Sequence, residues 1–502
     1  MHVTPERDRF AETYESGRAQ VVWTTLVADL ETPVSAFLKL ADGRPNAFLF
    51  ESVEGGAVIG RYSFIGMKPD LIWRCKKGAA EINRKALYDR EAFAPASGAP
   101  LDSLRALVEE SRIDMPDHLP PMAAGLVGYM GYDMVREMER LPDENPDRLQ
   151  VPDGLFLRPT VTAVFDRVED QVTVITPVWP RQDVNAEAAY EAASARLADV
   201  VQDFARSLPH RREPEDATAQ IPEPSSNMSR EQFHDMVRKG KEYIYAGDVF
   251  QVVLSQRFAV PFKLPPFALY RALRRLNPSP FLFFLNFEGF SVVGSSPEIL
   301  VRLRHGEVTI RPIAGTRKRG ATAEEDRALA EDLLSDPKEL AEHLMLLDLG
   351  RNDVGRVSQI GTVRVTERES IEYYSHVMHI VSNVVGEIDP RHDAMDALAA
   401  GFPAGTVSGA PKVRAMEIID ELEPDRRGVY AGAVGYFGAD GGMDTCIALR
   451  TAVVKDGTMY VQAGGGIVAD SEPEAEYQES CNKARALIRA AEEALKFAAY
   501  KG

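Results

Sequence analysis

Cysteine is scarce in this chain of 502 residues. Its three cysteines, Cys75, Cys446 and Cys481, are far apart and form no Cys-x-x-Cys pair. The spacing therefore predicts neither a disulfide framework nor a zinc site. Long apolar runs are missing too. The most apolar stretch, residues 281–287, is far too short to cross a bilayer and is typical of a buried strand.

Basic residues are also in the minority. Lysine and arginine number 58 against 76 aspartates and glutamates, which gives a net charge of −18. No basic cluster offsets this charge, so we expect no nucleic-acid or membrane partner. Residues 1–10 are polar and contain no signal-peptide core, so a reduced, cytoplasmic protein is expected. An acidic protein acting on an acidic small molecule would need local cations.

The chain divides by composition into three parts. Proline, serine and acidic residues are concentrated in 213–227, which is predicted to be a linker or exposed loop between regions 1–212 and 228–502. Ser229 and Gln232 form a capping-box pattern that predicts a helix start. Strand-like segments often follow one another directly, with helices expected at 324–334, 338–348, 411–422 and 474–496. This order predicts an α+β fold with large mixed or antiparallel sheets.

Two pairs of glutamates have helical spacing. Glu476 and Glu479, together with Lys483, share one helix face, and Glu339 and Glu342 form a second pair upstream. One such pair is usually a solvated helix face. Two helices that each offer a carboxylate pair are able to hold one Mg²⁺, with some ligands direct and others through water.

Glycine-rich segments accompany these acids. Gly464, Gly465 and Gly466 are predicted to form an anion-binding loop, since they expose backbone N–H groups at no steric cost. Residues 405–412 are predicted to form a second glycine-rich loop that is able to bind an anion, with Pro411 expected in the first turn of the following helix. Neither segment matches a Walker A or dinucleotide-binding pattern, so nucleotide binding is not predicted.

Three further side chains have both a functional and a structural interpretation. Arg450 lies in an apolar segment expected to be a strand, where it either binds an anionic ligand or forms an internal ion pair. His379 lies in an alternating strand and is either catalytic or merely hydrogen-bonded. Glu298 ends an apolar run and is either a desolvated general acid or an exposed turn residue.

Together these segments resemble the chorismate-utilising enzymes, and within them the anthranilate synthase component I group. The resemblance is strong over 228–490 and looser before it. It is carried by the segments 247–251, 296–298, 312–316, 341–345, 349–353, 403–412 and 462–486. It implies a two-lobed sandwich with helices packed outside and with the N- and C-terminal parts interleaved.

The resemblance also implies a role for each site residue. Glu342 and Glu479 would bind Mg²⁺ directly, and Glu339 and Glu476 would act through water. Glu298 would protonate the departing C4 hydroxyl of chorismate, with His379 beside the reacting ring. The residues expected to contact substrate are Gly315, Thr316, Thr406, Tyr430, Arg450, Gly464, Gly465, Gly466 and Lys483.

Two positions separate the chemistries of the group. Water-adding relatives, the isochorismate and salicylate synthases, carry a lysine base where this chain has Gln251, and glutamine cannot deprotonate water. Aminodeoxychorismate synthases typically carry a lysine nucleophile where this chain has Ala314. The remaining chemistry is addition of ammonia to chorismate, giving anthranilate and pyruvate for tryptophan biosynthesis. The alternatives are the two excluded activities and a catalytically silent amino-acid sensor, which would be expected to lack some of these acids.

The resemblance implies a partner and an inhibitor. Ammonia would come from a separate glutamine amidotransferase subunit in a hetero-oligomer, because none of the three cysteines has the context of a glutaminase nucleophile. Tryptophan would inhibit through a motif that begins with two leucines before Glu-Ser, and here Phe50 replaces the second leucine, after Leu49. Its expected residues are Glu51, Ser52, Pro278, Ser279 and Pro280.

Overall fold

The computed structural model describes residues 1–54, 58–120, 122–208, 221–374 and 377–499. Most of the predicted linker, 213–220, lies outside these residues. Its described end is not all loop, because Ser225 and Ser226 form a short strand against Phe258 and Ala259. No helix in the described part of the chain is long and apolar enough to span a membrane.

Eleven α-helices are described. They are α1 (Arg7–Glu15), α2 (Pro33–Leu40), α3 (Pro100–Glu110), α4 (Ala186–Phe204), α5 (Arg230–Ala246), α6 (Pro266–Leu276), α7 (Ala323–Ser335), α8 (Pro337–Gly355), α9 (Ala394–Gly401), α10 (Lys412–Leu422) and α11 (Pro473–Ala499). The predicted capping box is confirmed: Ser229 and Gln232 each accept a hydrogen bond from the other's backbone N–H at the start of α5. The predicted start of α10 is wrong by one residue, because Pro411 is the N-cap of this helix and not part of its first turn.

The described strands number twenty-two. They are β1 (Gln20–Val27), β2 (Ala47–Glu54), β3 (Val58–Lys76), β4 (Ala79–Asn83), β5 (Phe93–Pro95), β6 (Gly125–Met130), β7 (Gly154–Asp166), β8 (Gln171–Val178), β9 (Ser225–Ser226), β10 (Gln251–Pro261), β11 (Phe281–Asn286), β12 (Phe290–Ser296), β13 (Ile299–Arg304), β14 (Glu307–Ile310), β15 (Ile313–Lys318), β16 (Arg364–Tyr373), β17 (Val377–Glu387), β18 (Gly409–Ala410), β19 (Ala433–Gly438), β20 (Met443–Ile447), β21 (Thr451–Lys455) and β22 (Thr458–Ile467).

The strands form two antiparallel layers joined by two long strands. In the first layer the order is β10-β22-β21-β12-β11-β2-β3-β7-β8-β1. In the second it is β5-β4-β3-β7-β6-β19-β20-β13-β14-β17. β3 and β7 take part in both layers, with one half of each strand in each layer. The predicted preference for antiparallel sheets is confirmed.

The two halves of the chain share both layers. β2 pairs with β11 in the first layer, and β6 pairs with β19 in the second. The apolar side chains between the layers come from both halves, as Phe48, Tyr129, Phe283 and Val453 illustrate. Helices cover the outer faces, with α4, α6 and α11 against the first layer, α8 and α9 against the second, and α5 and α10 against β10 at the edge of the first. The expected interleaved sandwich with outer helices is confirmed.

Candidate active site

Glu298 lies in the turn between β12 and β13, and it is not an exposed turn residue. Only 7% of it is accessible to solvent, and its Oε1 accepts a hydrogen bond of 3.1 Å from the hydroxyl of Thr406. Burial raises the pKa of this carboxyl to about 8, although Thr406 and the charge of Arg450 act to lower it. A carboxylic acid that stays protonated at neutral pH is suited to donate a proton.

His379 lies on a strand, β17, as the alternating pattern predicted, and it pairs with Thr316 of β15. Its Nδ1 is 3.0 Å from the carbonyl oxygen of Gly315, and because a carbonyl only accepts, Nδ1 carries the proton. Burial lowers the pKa of this imidazole to about 4. The ring of Tyr374 packs edge-on against it with centroids 5.3 Å apart. His379 is therefore a neutral, fixed ring at the site.

The glycine run is not a loop. Gly464, Gly465 and Gly466 lie within β22 and pair with Ser255, Leu254 and Val253 of β10, respectively. On the other side, the pairing of β22 with β21 ends at Val461. The backbone of the three glycines is therefore held by β10 along one edge and, within the described chain, has no strand partner along the other. An open strand edge offers backbone N–H groups to a ligand.

Arg450 does not lie within a strand as predicted. Residues 448–450 separate β20 from β21, and Arg450 has a left-handed backbone with φ of 47°. Its guanidinium is partly buried, and no carboxylate of the described residues lies within salt-bridge distance of it. The alternative of an internal ion pair is thereby removed. Burial lowers the pKa of Arg450, while Tyr374 and Glu298 act to raise it. This cation is suited to a bound carboxylate.

The first carboxylate pair lies on α8. Gln251 donates a hydrogen bond of 3.1 Å from its Nε2 to Glu342, and its own Oε1 is buried without a partner among the described atoms. Burial raises the pKa of Glu342, and repulsion from Glu339 and Glu479 adds to this effect. Glu339 accepts a hydrogen bond of 3.0 Å from Arg317.

The second pair lies on α11. Glu479 forms an ion pair of 2.7 Å with Lys483, whose Nζ also donates to the carbonyl oxygen of Gly464 at 2.9 Å. Burial raises the pKa of Glu476, and the charge of Glu479 also acts in this direction. A β-carbon added at Gly465 would lie 2.9 Å from Glu476 Oε2 and 3.7 Å from Glu479 Oε1. The glycine run and the second carboxylate pair are therefore in contact.

The carboxylates are not gathered into one coordination shell. In the described part of the chain, no three histidine, cysteine, aspartate or glutamate side chains are close enough together to bind one metal ion. The donor set nevertheless fits a hard cation, because Glu342 and Glu476 are partly buried carboxylates destabilised by other carboxylates. A cation among them would relieve this repulsion.

The segment 405–412 contributes the Thr406 hydroxyl and is otherwise committed to the fold. Gly409 and Ala410 pair with Val252 and Gln251 as β18. Lys412 Nζ is bound to the buried carboxylate of Asp353 at 2.9 Å, so it is not available to an anion. The predicted general anion loop is thus reduced to one hydroxyl that points at Glu298.

The remaining predicted substrate residues lie in two places. Gly315 has φ of 70°, and a β-carbon there would lie 3.2 Å from Glu339 Oε2, which puts it beside the first carboxylate pair. Tyr430 is buried, and burial raises its pKa to about 12. Its ring packs on the guanidinium of Arg427, which lies 5.6 Å from the ring centroid.

The residues of the expected tryptophan motif do not all line one cavity. Glu51 is buried, with its carboxylate bound by Arg274 at 2.7 Å and by the hydroxyl of Tyr270 at 2.6 Å. Ser52 lies at an irregularity of β2, since the register of its pairing with β3 shifts between Glu51 and Val53. Glu51, Ser52 and Pro280 line a cavity of about 720 Å³, whereas Ser279 is buried and Pro278 is partly buried outside that lining.

The same cavity reaches the back of the catalytic residues. Its far wall includes Pro297 and Ile299, which flank Glu298, and Tyr374, which packs against His379. Tyr374 was not predicted from the sequence, and neither was Arg317, which binds Asp332, Asp336 and Glu339 together. The position of Arg317 directly after Gly315 and Thr316 is the only sequence signal for it.

Comparison with known proteins identifies the family to which the chain belongs. The family described as chorismate binding enzymes matches residues 63–489, so the chain belongs to that family. It is 63% identical over 495 residues to anthranilate synthase component 1 of Cereibacter sphaeroides, with 99% of each chain covered. It is 52% identical over 470 residues to the component 1 of Pseudomonas putida, with 92% of this chain and 93% of the relative covered.

Solved structures show the same fold. The crystal structure of anthranilate synthase component I from Streptococcus pneumoniae matches with a TM-score of 0.75 and 39% identity, over 85% of this chain and 92% of that one. The menaquinone-specific isochorismate synthase of Escherichia coli matches with a TM-score of 0.70 at 18% identity, over 97% and 99% of the two chains, which shows the fold alone.

Proposed function

We propose that this chain is the synthase component that converts chorismate and ammonia to anthranilate and pyruvate. Similarity to anthranilate synthase component 1 over nearly the full chain is the main support. One feature of the site carries the proposal. Glu298 is buried and protonated, and it lies near Arg450, which has no ion-pair partner among the described residues. Loss of a hydroxyl from a dianionic substrate needs both a proton donor and fixed cations.

Each site residue has one task in this proposal. Glu298 donates its proton to the C4 hydroxyl as the C–O bond breaks, and Thr406 orients its carboxyl. Arg450 and the open edge of β22 bind substrate carboxylate. His379 presents a neutral ring whose orientation is fixed by its bond to Gly315.

One Mg²⁺ ion would be held by Glu342 and Glu479 directly and by Glu339 and Glu476 through water. Oxygen-only donors from two helices are the ligands that Mg²⁺ prefers. The ion would neutralise a carboxylate of the substrate and the repulsion among the glutamates. Because Lys483 and Arg317 now neutralise Glu479 and Glu339, the metal competes with two ion pairs.

The nucleophile in this proposal is ammonia. Gln251 cannot deprotonate water, but its buried Oε1 has no hydrogen-bond partner among the described atoms and is able to accept a bond from ammonia. Ala314 is buried and has no amine with which to form a covalent intermediate. These two residues disfavour isochorismate and aminodeoxychorismate formation.

A partner and an inhibitor complete the proposal. The word component in the names of the relatives supports a second subunit, which we propose is a glutamine amidotransferase that supplies ammonia in a hetero-oligomer. We propose tryptophan as an inhibitor that binds in the cavity lined by Ser52 and Pro280. Because that cavity also contacts Pro297 and Tyr374, a ligand there would act on the residues that hold Glu298 and His379.

The decisive assay uses purified protein with chorismate, Mg²⁺ and ammonium at alkaline pH. Anthranilate fluorescence and pyruvate should rise together, and both should fall on addition of tryptophan. Omission of Mg²⁺ should abolish turnover. Consumption of chorismate to a different product would contradict the proposed reaction.

The metal ligands are tested by Glu479→Gln. Its side chain is half exposed, so the protein should stay folded while Mg²⁺-dependent turnover is lost. Mg²⁺ titration followed by calorimetry gives the readout, with Glu474→Gln on the same helix as control because Glu474 pairs with Arg230 and His234 instead. Wild-type Mg²⁺ affinity in the Glu479 variant would refute its role as a ligand.

A further inference from the structure

One ion pair is completely enclosed beneath the candidate active site. Glu423, directly after α10, and Arg427, four residues later, expose only 3% and 2% of their surface. Arg427 Nε donates to Glu423 Oε2 at 2.9 Å, and Nη2 donates to Oε1 at 2.6 Å. The pair thus forms the two parallel bonds of a fork-to-fork contact.

The rest of the Arg427 guanidinium binds two backbone carbonyls. Nη1 donates to Val407 at 2.6 Å, and Nη2 donates to Val253 at 2.7 Å. Val407 follows Thr406, whose hydroxyl is bound to Glu298. Val253 lies on β10 opposite Gly466. One side chain therefore ties the Thr406 segment to the strand that supports the glycine run.

Glu423 holds the same strand at a second point. Its Oε1 accepts bonds from the backbone N–H and the hydroxyl of Ser255, at 2.8 and 2.7 Å. Ser255 pairs with Gly464 in the register of β10 and β22. The face of the Arg427 guanidinium also lies 5.6 Å from the ring centroid of Tyr430. Glu423 and Arg427 thus contact three parts of the site. These are β10, which pairs with the glycine run, the segment that carries Thr406, and Tyr430.

We infer that Glu423 and Arg427 form a positioning unit that holds the hydroxyl of Thr406 on Glu298 and fixes the register of the glycine run. Neither residue touches the reacting atoms. Desolvation offsets much of the Coulomb attraction in a buried pair, so such a pair is weak evidence for stability alone. The four hydrogen bonds that Arg427 donates, two to backbone carbonyls and two to the carboxylate of Glu423, instead define one geometry. This inference rests on the proposed function.

A second buried pair supplies a matched control. Arg257 lies on the same strand, β10, and binds Asp425 from the same turn at 2.8 Å, with 6% and 10% of the two side chains exposed. Its Nη1 donates to the carbonyl of Arg426 at 3.1 Å. Among the described residues, the side-chain bonds of Arg257 do not reach the Thr406 segment or the glycine run.

The test replaces each arginine with lysine, which keeps the positive charge but cannot form the two parallel hydrogen bonds to a carboxylate. Arg427→Lys should lower kcat by about 10- to 100-fold, the cost of a small misplacement of catalytic groups. Because Thr406 acts to lower the pKa of Glu298, its displacement should also move the alkaline limb of the kcat profile to higher pH. Arg257→Lys should lower the melting temperature without changing kcat or the limb.

The outcomes are distinguishable. Arg427→Lys could lower the melting temperature as Arg257→Lys does and keep the wild-type kcat and alkaline limb. In that case Glu423 and Arg427 only stabilise the fold, and the inference is overturned. If Arg427→Lys does not fold, Glu423→Gln is assayed by the same two measurements with the same criteria. A wild-type protein that forms no anthranilate would instead refute the proposed function.

Discussion

Two titratable side chains of the candidate site, Glu298 and His379, are uncharged at pH 7 because both are buried. The pKa of Glu298 is raised to about 8 and that of His379 is lowered to about 4. Positive charge nearby comes from Arg450, which has no carboxylate partner among the described residues. This combination leaves one proton to donate and one cation to bind substrate.

Glu298→Gln tests the proton donor, because glutamine keeps the shape and the bond from Thr406 but has no acidic proton. We expect kcat to fall by about 10²- to 10⁴-fold. Stability should change in the opposite direction. Between about 4.5 and about 8 the folded state holds more protons on Glu298 than the unfolded state, so stability falls as pH rises through this window.

The glutamine variant should therefore be more stable than the wild type at pH 7, by an amount on the order of 1–3 kcal/mol. Urea unfolding at pH 5 and pH 8 measures this, and the difference between the two proteins should shrink toward pH 5. Glu331→Gln, on an exposed position of α7, is the control and should change neither property. Equal activity of Glu298→Gln and wild type would contradict the assigned role.

At the scale of elements, β22 and α11 meet through glycine. Gly465 leaves room for the carboxylate of Glu476, whereas Gly464 leaves room for the backbone of β10, since a β-carbon there would lie 2.3 Å from the Leu254 carbonyl. The first obstacle is the end of a flexible side chain, and the second is a fixed backbone. The three glycines are therefore not equivalent.

Gly465→Ala should fold with little loss of melting temperature, because the Glu476 carboxylate is able to shift. It should raise the Mg²⁺ concentration needed for half-maximal turnover, since Glu476 is a proposed ligand through water. Gly464→Ala should instead lower the melting temperature strongly, by several degrees, because the pairing with β10 must open. If both variants melted alike and kept the wild-type Mg²⁺ dependence, this distinction would be wrong.

Sequence reasoning was accurate where structure depends on neighbours in the chain. The Ser229 capping box and the helical spacing of Glu476 and Glu479 are local properties, and both were predicted correctly. It failed where the outcome depends on pairing with distant segments. The glycine run is a strand because β10 lies beside it, and Arg450 leaves its strand where the pairing of β21 with β22 ends. Arg427 was missed because nothing near it in sequence shows which carbonyls it binds.

At the scale of the whole molecule, both halves of the chain contribute strands to each of the two layers. The five residue pairs between β2 and β11 and the six between β6 and β19 all join the N-terminal region to the C-terminal region. The core between the layers also mixes both halves. The regions predicted from composition, 1–212 and 228–502, are thus segments of sequence that build one common sandwich.

This architecture predicts the behaviour of a split protein. Expressed alone, fragment 221–502 would expose one edge each of β11 and β19 together with half of the core between the layers, so it should show no cooperative unfolding. Fragment 1–208 should likewise fail to fold alone. Coexpressed, the two should associate through both sets of strand pairs and recover anthranilate formation, measured by fluorescence after copurification. A C-terminal fragment that is active and melts cooperatively alone would show that the shared sheets are not required for the catalytic site.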